Sequence, residues 1–436
     1  EVDNYGWSLA LPLQLEDSFV EISGGYDHAQ KARTYRQSQF SLGYLGVSDS
    51  SVLDGSLGDV FSDENILADS VDSTSPVPDA RVFDNNIVFD RQGANTNSYI
   101  AATMTDSLWG KLDWTWQDTW RVAVGARWED YRQVAVDWNP YGFTEASPQV
   151  TTDPDTLLLG AFYEDRIYPA AGITFMGDWW ADTFQLRLGY SETAVRPDLR
   201  EITDSSYIDP ITGDLVRGNP GVVPSEVDNI DLRAEWYFDS GDNLTITLFN
   251  KDIRNPIEFF EIPASDTTVA REIINAESGY VRGVEFEGLK ELGFLGSAFD
   301  SLFVQGNLTL QESELVAGSD ANVPTNAVRP LSGASDYVVN FMLGFDSADA
   351  KHTASVIYNV FGERLYVAGR NGAPDGYELP FHSLDLTYFW YPTARITVKA
   401  KAQNLLGETI RIERSGVVTF EEDPGTVFSL SFAWTL

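Results

Sequence analysis

The chain has 436 residues and no cysteine, and 66 acidic against 29 basic side chains give it a formal charge of −37. That balance excludes the basic surface needed to grip nucleic-acid phosphates, and the missing thiols exclude a disulfide framework and thiolate metal sites. Three scattered histidines leave little from which to build a metal centre, so no cofactor is expected. No run approaches the roughly 18 apolar residues of a membrane helix; the longest comparable stretch is Leu157 to Tyr163. No basic, apolar leader opens the chain, so Glu1 reads as a position inside a longer precursor.

Hydrophobic alternation of period 2 recurs along the whole length, and the helical period of 3.6 hardly appears. It predicts about sixteen strands, an even count that suits a bacterial barrel. They lie near 5–13, 18–28, 33–44, 97–116, 119–138, 157–178, 183–193, 229–239, 243–262, 270–290, 301–315, 335–346, 352–366, 379–391, 395–414 and 420–436. Arg121, Ala123, Gly125, Arg127 and Glu129 alternate with Val122, Val124, Ala126 and Trp128. Ile230, Leu232, Ala234, Trp236 and Phe238 alternate with Asn229, Asp231, Arg233, Glu235 and Tyr237. At the C-terminus Phe428, Leu430, Phe432, Trp434 and Leu436 share one face.

A soluble sandwich and a membrane barrel both produce this alternation, with opposite faces wet. Connection length separates them. Tight turns such as Asp239 to Asp242, Ser347 to Ala350 and Tyr391 to Ala394 alternate with long polar stretches at 45–96, 139–156, 194–228 and 316–334. Short turns on one rim and long loops on the other mark an outer-membrane barrel, and several long loops argue against a compact soluble domain. Aromatics gather near strand ends, as at Trp179-Trp180 and Phe389-Trp390-Tyr391, where an interfacial belt wants them. Segment 45–96 holds ten acids against Arg81 and Arg91, so much of the charge belongs to solvated loops.

Arg121, Arg127, Arg187, Arg233, Lys399 and Lys401 fall on the polar, lumen-facing side of their strands. They either present a basic lining or join acids such as Asp231, Glu235 and Asp385 in cross-strand pairs. Arg196-Pro197 and Asn219-Pro220 read as loop punctuation, with Arg196 also a candidate ligand contact. The loop aromatics Tyr207, Phe143 and Tyr366 are candidates for stacking on a ligand. No nucleophile elbow, paired-histidine zinc motif, phosphate loop or dinucleotide fingerprint occurs, so no catalytic residue is expected.

Six stretches resemble, in order, the C-terminal barrel of a TonB-dependent outer-membrane receptor. They are Tyr190 to Asp198; Gly218-Asn219-Pro220 with Pro224-Ser225-Glu226 leading into Asp231 to Phe238; Asn250 to Ile257; Tyr280 to Gly288; Ala402 to Gly407; and Asp423 to Leu430. The resemblance implies an all-β, antiparallel transmembrane barrel filling 1–436 and forming the C-terminal part of a 22-stranded wall. It also implies TonB-dependent import of a scarce nutrient, such as a ferric siderophore or an oligosaccharide, across the bacterial outer membrane. Implied partners are membrane lipid and lipopolysaccharide, the nutrient, and TonB with ExbB and ExbD acting through a plug domain. That plug and about six strands are not visible here, and Leu436 replaces the family's usual terminal aromatic. A passive sixteen-stranded porin and a soluble all-β binding protein remain the alternative readings.

Overall fold

The computed structural model describes residues 1–37, 40–44, 53–66, 69–71, 81–83, 87–91, 98–137, 160–209, 213–263, 269–321 and 323–435. Fifteen strands follow one another edge to edge in chain order, each antiparallel to the one before. The first eight are β1 (Val2–Gln14), β2 (Ser18–Tyr35), β3 (Tyr99–Trp116), β4 (Trp120–Asp137), β5 (Phe162–Gly177), β6 (Thr183–Val195), β7 (Ser225–Tyr237) and β8 (Asn243–Arg254). The rest are β9 (Ser278–Glu291), β10 (Leu302–Val316), β11 (Tyr337–Asp346), β12 (His352–Phe361), β13 (Phe381–Thr393), β14 (Ile396–Gln403) and β15 (Val427–Trp434). A two-residue strand, Val328–Arg329, flanks β10 and brings the sheet to sixteen strands.

Register shows why alternation became a wall. Leu13, Val20, Trp114, Val122, Ile173, Leu188, Leu232, Leu248, Val284 and Leu310 are successive cross-strand partners from β1 to β10. Every member of that row is apolar, yet Leu188 is 49 % and Leu248 50 % exposed. A parallel row runs Leu11, Ile22, Leu112, Val124, Ala171, Tyr190 and Ile230, then turns polar at Asn250, Arg282 and Glu312. Strands of a barrel tilt about 35–45° from its axis, so a row perpendicular to them climbs out of the hydrocarbon. Aromatics flank this apolar band: Trp116, Trp120 and Trp179 toward one rim, Trp7 and Tyr163 toward the other, all exposed. Trp179 stacks on Trp180 at 4.5 Å.

The two rims differ. Connections after odd-numbered strands are short, at 15–17, 117–119, 178–182, 238–242, 292–301, 347–351 and 394–395. Those after even-numbered strands are long, at 36–98, 138–161, 196–224, 255–277, 317–336, 362–380 and 404–426. At 117–119, Gln117 and Asp118 take left-handed φ values of 50° and 49°, the turn handedness that matches strand twist. β1 and β15 end the path, and both run toward the short-turn rim. Antiparallel closure therefore needs an odd number of further strands between them. A 22-stranded wall leaves 22 − 15 = 7.

Strand boundaries differ from expectation in two ways. Segments 18–28 and 33–44 are not two strands: Gln30 and Lys31, lying between them, pair with Asp3 and Val2 on one side and Met104 and Thr103 on the other. Residues Phe40–Tyr44 instead form a hairpin with Ile87–Arg91. The expected strands 243–262, 270–290, 352–366 and 395–414 also overrun the wall, because their outer parts are separate strands belonging to the loops. Loop 139–156, with Phe143, lies outside the described residues.

The apolar rows carry a consequence for stability. Leu232→Arg, at mid-height on the apolar face, should cost roughly 2–4 kcal/mol in lipid, whereas Thr174→Arg on the opposite face should change stability by less than about 1 kcal/mol. Equilibrium unfolding from vesicles measures both, and equal costs would mean that the faces are wrongly assigned.

Candidate functional site

On the polar face the sequence-predicted arginines Arg121, Arg127, Arg187 and Arg233 are drawn into ion pairs. Arg121, Arg187 and Arg233 occupy one row: Thr115, Arg121, Thr174, Arg187, Arg233, Thr247 and Glu285 are successive partners. Arg121 grips Asp113 with Nε at 2.8 Å and Nη2 at 2.6 Å, and Lys111 reaches the same carboxylate at 2.7 Å. The nearly buried Glu235 accepts from Arg233 Nε at 3.0 Å and Tyr237 Oη at 3.0 Å on one carboxylate oxygen, and Arg187 Nε lies 2.9 Å from the other as an ion pair. Arg233 also donates to Glu287 at 3.2 Å. Lys399 lies 4.9 Å from the Phe389 ring centre, and Lys399 and Lys401 stand opposite Ser431 and Ser429 of β15.

A second cluster ties the long-connection rim to the wall. Arg127 donates to Asp27 at 2.8 Å, Glu129 at 2.6 Å and Ser107 at 2.5 Å. Arg196, the first residue after β6, donates to the same Glu129 at 2.7 Å, to Glu164 at 2.6 Å and to the Tyr168 hydroxyl at 3.2 Å. Its guanidinium lies 3.9 Å from the Tyr131 ring centre, where cation–π attraction adds to the charge-assisted bonds. Among the described residues its ion-pair, hydrogen-bond and ring partners all lie on the wall, so Arg196 is an anchor for the loop it starts. Two residues on, Asp198 accepts from Lys31 at 2.9 Å and Arg33 at 3.1 Å on β2. Burial alone would raise the Asp198 carboxyl, but Lys31, the Arg200 backbone N–H and Arg33 outweigh it and hold the group below the usual carboxylate range. Nearby, burial pushes Glu201 up.

Above the rim the loops build sheets of their own. Ser206–Ile208, Leu215–Arg217, Val269–Asn275 and Ile257–Pro263 form one four-stranded sheet, in which Leu215–Arg217 runs parallel to Val269–Asn275. Arg364–Val367, Gly376–Glu378, Ile410–Arg414 and Val417–Glu422 form another. A bridge from Phe260 to Ala368 and an Arg414–Glu261 ion pair join the two. Two buried guanidiniums pin this layer. Arg329 pairs with Glu258 at 3.2 Å over the Phe260 ring, and Ser332 donates to the same carboxylate at 2.6 Å. Arg271 pairs with Asp214 and lies 4.6 Å from the Tyr366 ring centre. Phe260, Ile274, Leu315 and Ala317 pack beneath.

The predicted aromatics meet in this layer. Tyr207, Val216 and Arg271 are successive partners in the first sheet, and Arg271 covers Tyr366. Arg200 covers the other end, 4.4 Å from the Tyr207 ring centre. Tyr207 and Tyr366 thus lie in one layer, each under its own arginine, while Arg196 serves the wall below. Sequence reasoning missed Arg271, Arg329 and Glu258, because single charges in loops carry no spacing signal. The histidines bond locally: His28 to Asp106 at 2.8 Å, His352 to Tyr388 at 2.7 Å and His382 to Tyr358 at 2.7 Å. Among the described residues no three His, Cys, Asp or Glu side chains gather as a metal-binding group.

An antiparallel wall with one apolar and one charged face, and long loops layered over one rim, defines an outer-membrane β-barrel. Residues 1–405 match the family model described as TonB dependent receptor-like, beta-barrel, and the chain belongs to that family of transport receptors. No curated protein sequence matches it. Its fold is similar to that of the ferric-catecholate import receptor Fiu from K12 E. coli, with TM-score 0.62, 14 % identity, and coverage of 99 % of this chain and 54 % of that one. The siderophore receptor PiuA from Acinetobacter baumannii aligns with TM-score 0.62 at 13 % identity over 99 % of this chain and 56 % of its own. The ferric citrate transporter FecA aligns with TM-score 0.60 at 10 % identity, over 99 % and 54 %. The chain therefore spans about half the length of these solved structures.

Two outcomes test the anchor. Removing one partner of a network this enclosed costs roughly 1–3 kcal/mol, so Arg196→Ala should speed amide exchange in 196–209 while leaving β4 and β5 protected; unchanged exchange would contradict the assignment. The depressed Asp198 carboxyl contributes its tether fully above the unfolded value of about 3.9 and loses it as pH falls through the folded value. Protection of the same segment should drop in that acid range, and Asp198→Asn should abolish the pH dependence.

Proposed function

We propose that this chain forms the wall and the outer loops of a TonB-dependent importer that carries a scarce nutrient across the bacterial outer membrane. The loop layer carries the proposal. Two sheets built from four different connections are bolted together over one rim, a rigid roof that a non-selective pore does not need. In this reading the long connections, including 45–96, 139–156, 194–228 and 316–334, face outward and the short turns face the periplasm. The nutrient is captured between the roof and the charged inner face.

The chemistry of the roof favours a ligand with planar, anionic groups, such as a ferric siderophore. Tyr207 and Tyr366 each carry a guanidinium on one ring face; Arg271 over Tyr366 is buried and paired with Asp214, so the positive charge beside a stacking surface comes from Arg200 over Tyr207. The ferric-catecholate, siderophore and ferric-citrate substrates of Fiu, PiuA and FecA support the same class. On the inner face the cations are matched by acids, so the lining of Arg121, Arg127, Arg187 and Arg233 acts as a hydrated, rigid wall more than as an attractive field. Membrane lipid and lipopolysaccharide cover the apolar face. TonB, with ExbB and ExbD, acts through a plug domain that the remainder of the receptor supplies.

The fifteen strands of the path do not close antiparallel on themselves, since β1 and β15 run the same way, and that direction suits sixteen strands as well as 22. Uptake decides the matter. In cells carrying the full-length receptor, accumulation of a ferric siderophore should fall to background when a proton ionophore collapses the inner-membrane gradient. Uptake that persists with the ionophore would identify a passive channel and overturn the proposal.

A further inference from the structure

A cavity of about 680 Å³ opens on the apolar face of the wall near the short-turn rim. Its floor is Gly288 on β9 and Gly306 on β10, which are direct cross-strand partners. On either side of the glycines the same row carries Leu244 and Phe341, respectively 44 % and 46 % exposed. The row is therefore a trough two strands wide between two apolar walls. A shallower groove continues it up the wall past Phe286, Leu308 and Val339. Toward the rim the trough ends at Lys290, whose ammonium pairs with Asp242 in the turn 238–242. Asp242 is fixed by two further bonds, from the Glu291 N–H at 2.8 Å and the Ser240 hydroxyl at 2.8 Å.

We infer that this trough holds one zwitterionic phospholipid, with an acyl chain over Gly288 and Gly306 and the head group on Lys290 and Asp242. Position and charge both select this occupant. The trough begins within two residues of the strand ends and runs into the hydrocarbon, as a lipid does. At its mouth the half-exposed Lys290 ammonium stands beside the largely covered Asp242 carboxylate, a cation for the phosphate of a head group with an anion next to it for the ammonium. A glycine pair inside a strand weakens the sheet and often marks close approach of a ligand or another backbone. Here a side chain at position 288 would fill the trough, its Cβ 3.3 Å from the Asn243 carbonyl oxygen. A second copy of the chain seated on the trough would require a complementary apolar ridge that also satisfies Lys290, and the lipid meets both demands alone.

The full-length receptor, extracted from outer membranes in mild detergent, tests the site by native mass spectrometry. One phosphatidylethanolamine should stay bound per monomer, and after delipidation it should rebind in preference to phosphatidylglycerol. Lys290→Gln removes a charge-assisted bond and should lower retention about tenfold, and Gly288→Leu should lower it by blocking the trough. Lys290 is half exposed, so its variant keeps the test valid if Gly288→Leu misfolds. Equal retention by the wild type and Lys290→Gln, absence of bound lipid in the wild type, or a dimer cross-linked through Leu244→Cys would each overturn the site. Loss of import activity would leave lipid retention unchanged, so this test is independent of the transport proposal.

Discussion

A peptide group in hydrocarbon has no water to bond with, and each unpaired N–H or C=O there costs several kcal/mol. Nearly every other feature of this chain follows from that constraint. Each strand must be bonded on both sides, which produces the unbroken antiparallel path from β1 to β15. Neighbouring side chains then point alternately to lipid and to water, which produces rows that are apolar across ten strands on one side and carry Arg121, Arg187 and Arg233 on the other. The same constraint acts on the ends of the path. β1 and β15 point the same way, so antiparallel closure requires an odd number of strands between them, a condition that a 22-stranded wall meets.

The charged face obeys a related rule at lower stakes. A cation lining a confined, partly dry interior is stabilised by an acid at bonding distance, and most of the arginines here have one: Asp113 for Arg121, Glu235 for Arg187 and Arg233, Glu129 for Arg127 and Arg196. These pairs lock the inner wall in place and leave little net positive field. In the loop layer, Arg271 and Arg329 perform the same task where the chain has left the wall, joining segments far apart in sequence. In the proposed importer, a rigid wall below and a cross-braced roof above would set the shape of the binding chamber before a ligand arrives, which reduces the ordering cost of binding.

Much of the wall was legible because lipid and water impose a strict two-residue period. The ending Phe428-Leu430-Phe432-Trp434 and the segment Arg121 to Glu129 each announced a strand and its faces. The period did not say where the membrane stops. Ile410–Arg414 alternates like a wall strand and Ile257–Pro263 is as apolar as one, yet both pair with loop strands above the rim. Gln30 and Lys31 looked like a break because they are polar on both sides, but β2 has already left the hydrocarbon at that height, and polarity there has no cost. The candidate site was harder to see. Tyr207 and Tyr366 were found by type, whereas Arg271, which covers Tyr366 from another loop, was not, since contact between distant loops leaves no trace in spacing. The paired glycines on β9 and β10 were equally silent, being 18 residues apart in sequence.

Side assignment is best tested with spin labels placed singly at Arg187, Leu188, Leu232 and Arg233 of the full receptor in lipid vesicles. Relaxation by dissolved oxygen, which concentrates in hydrocarbon, should dominate at 188 and 232. Relaxation by a water-soluble nickel chelate should dominate at 187 and 233. Labels at all four positions responding alike, or reaching neither reagent because protein covers both faces, would contradict the account.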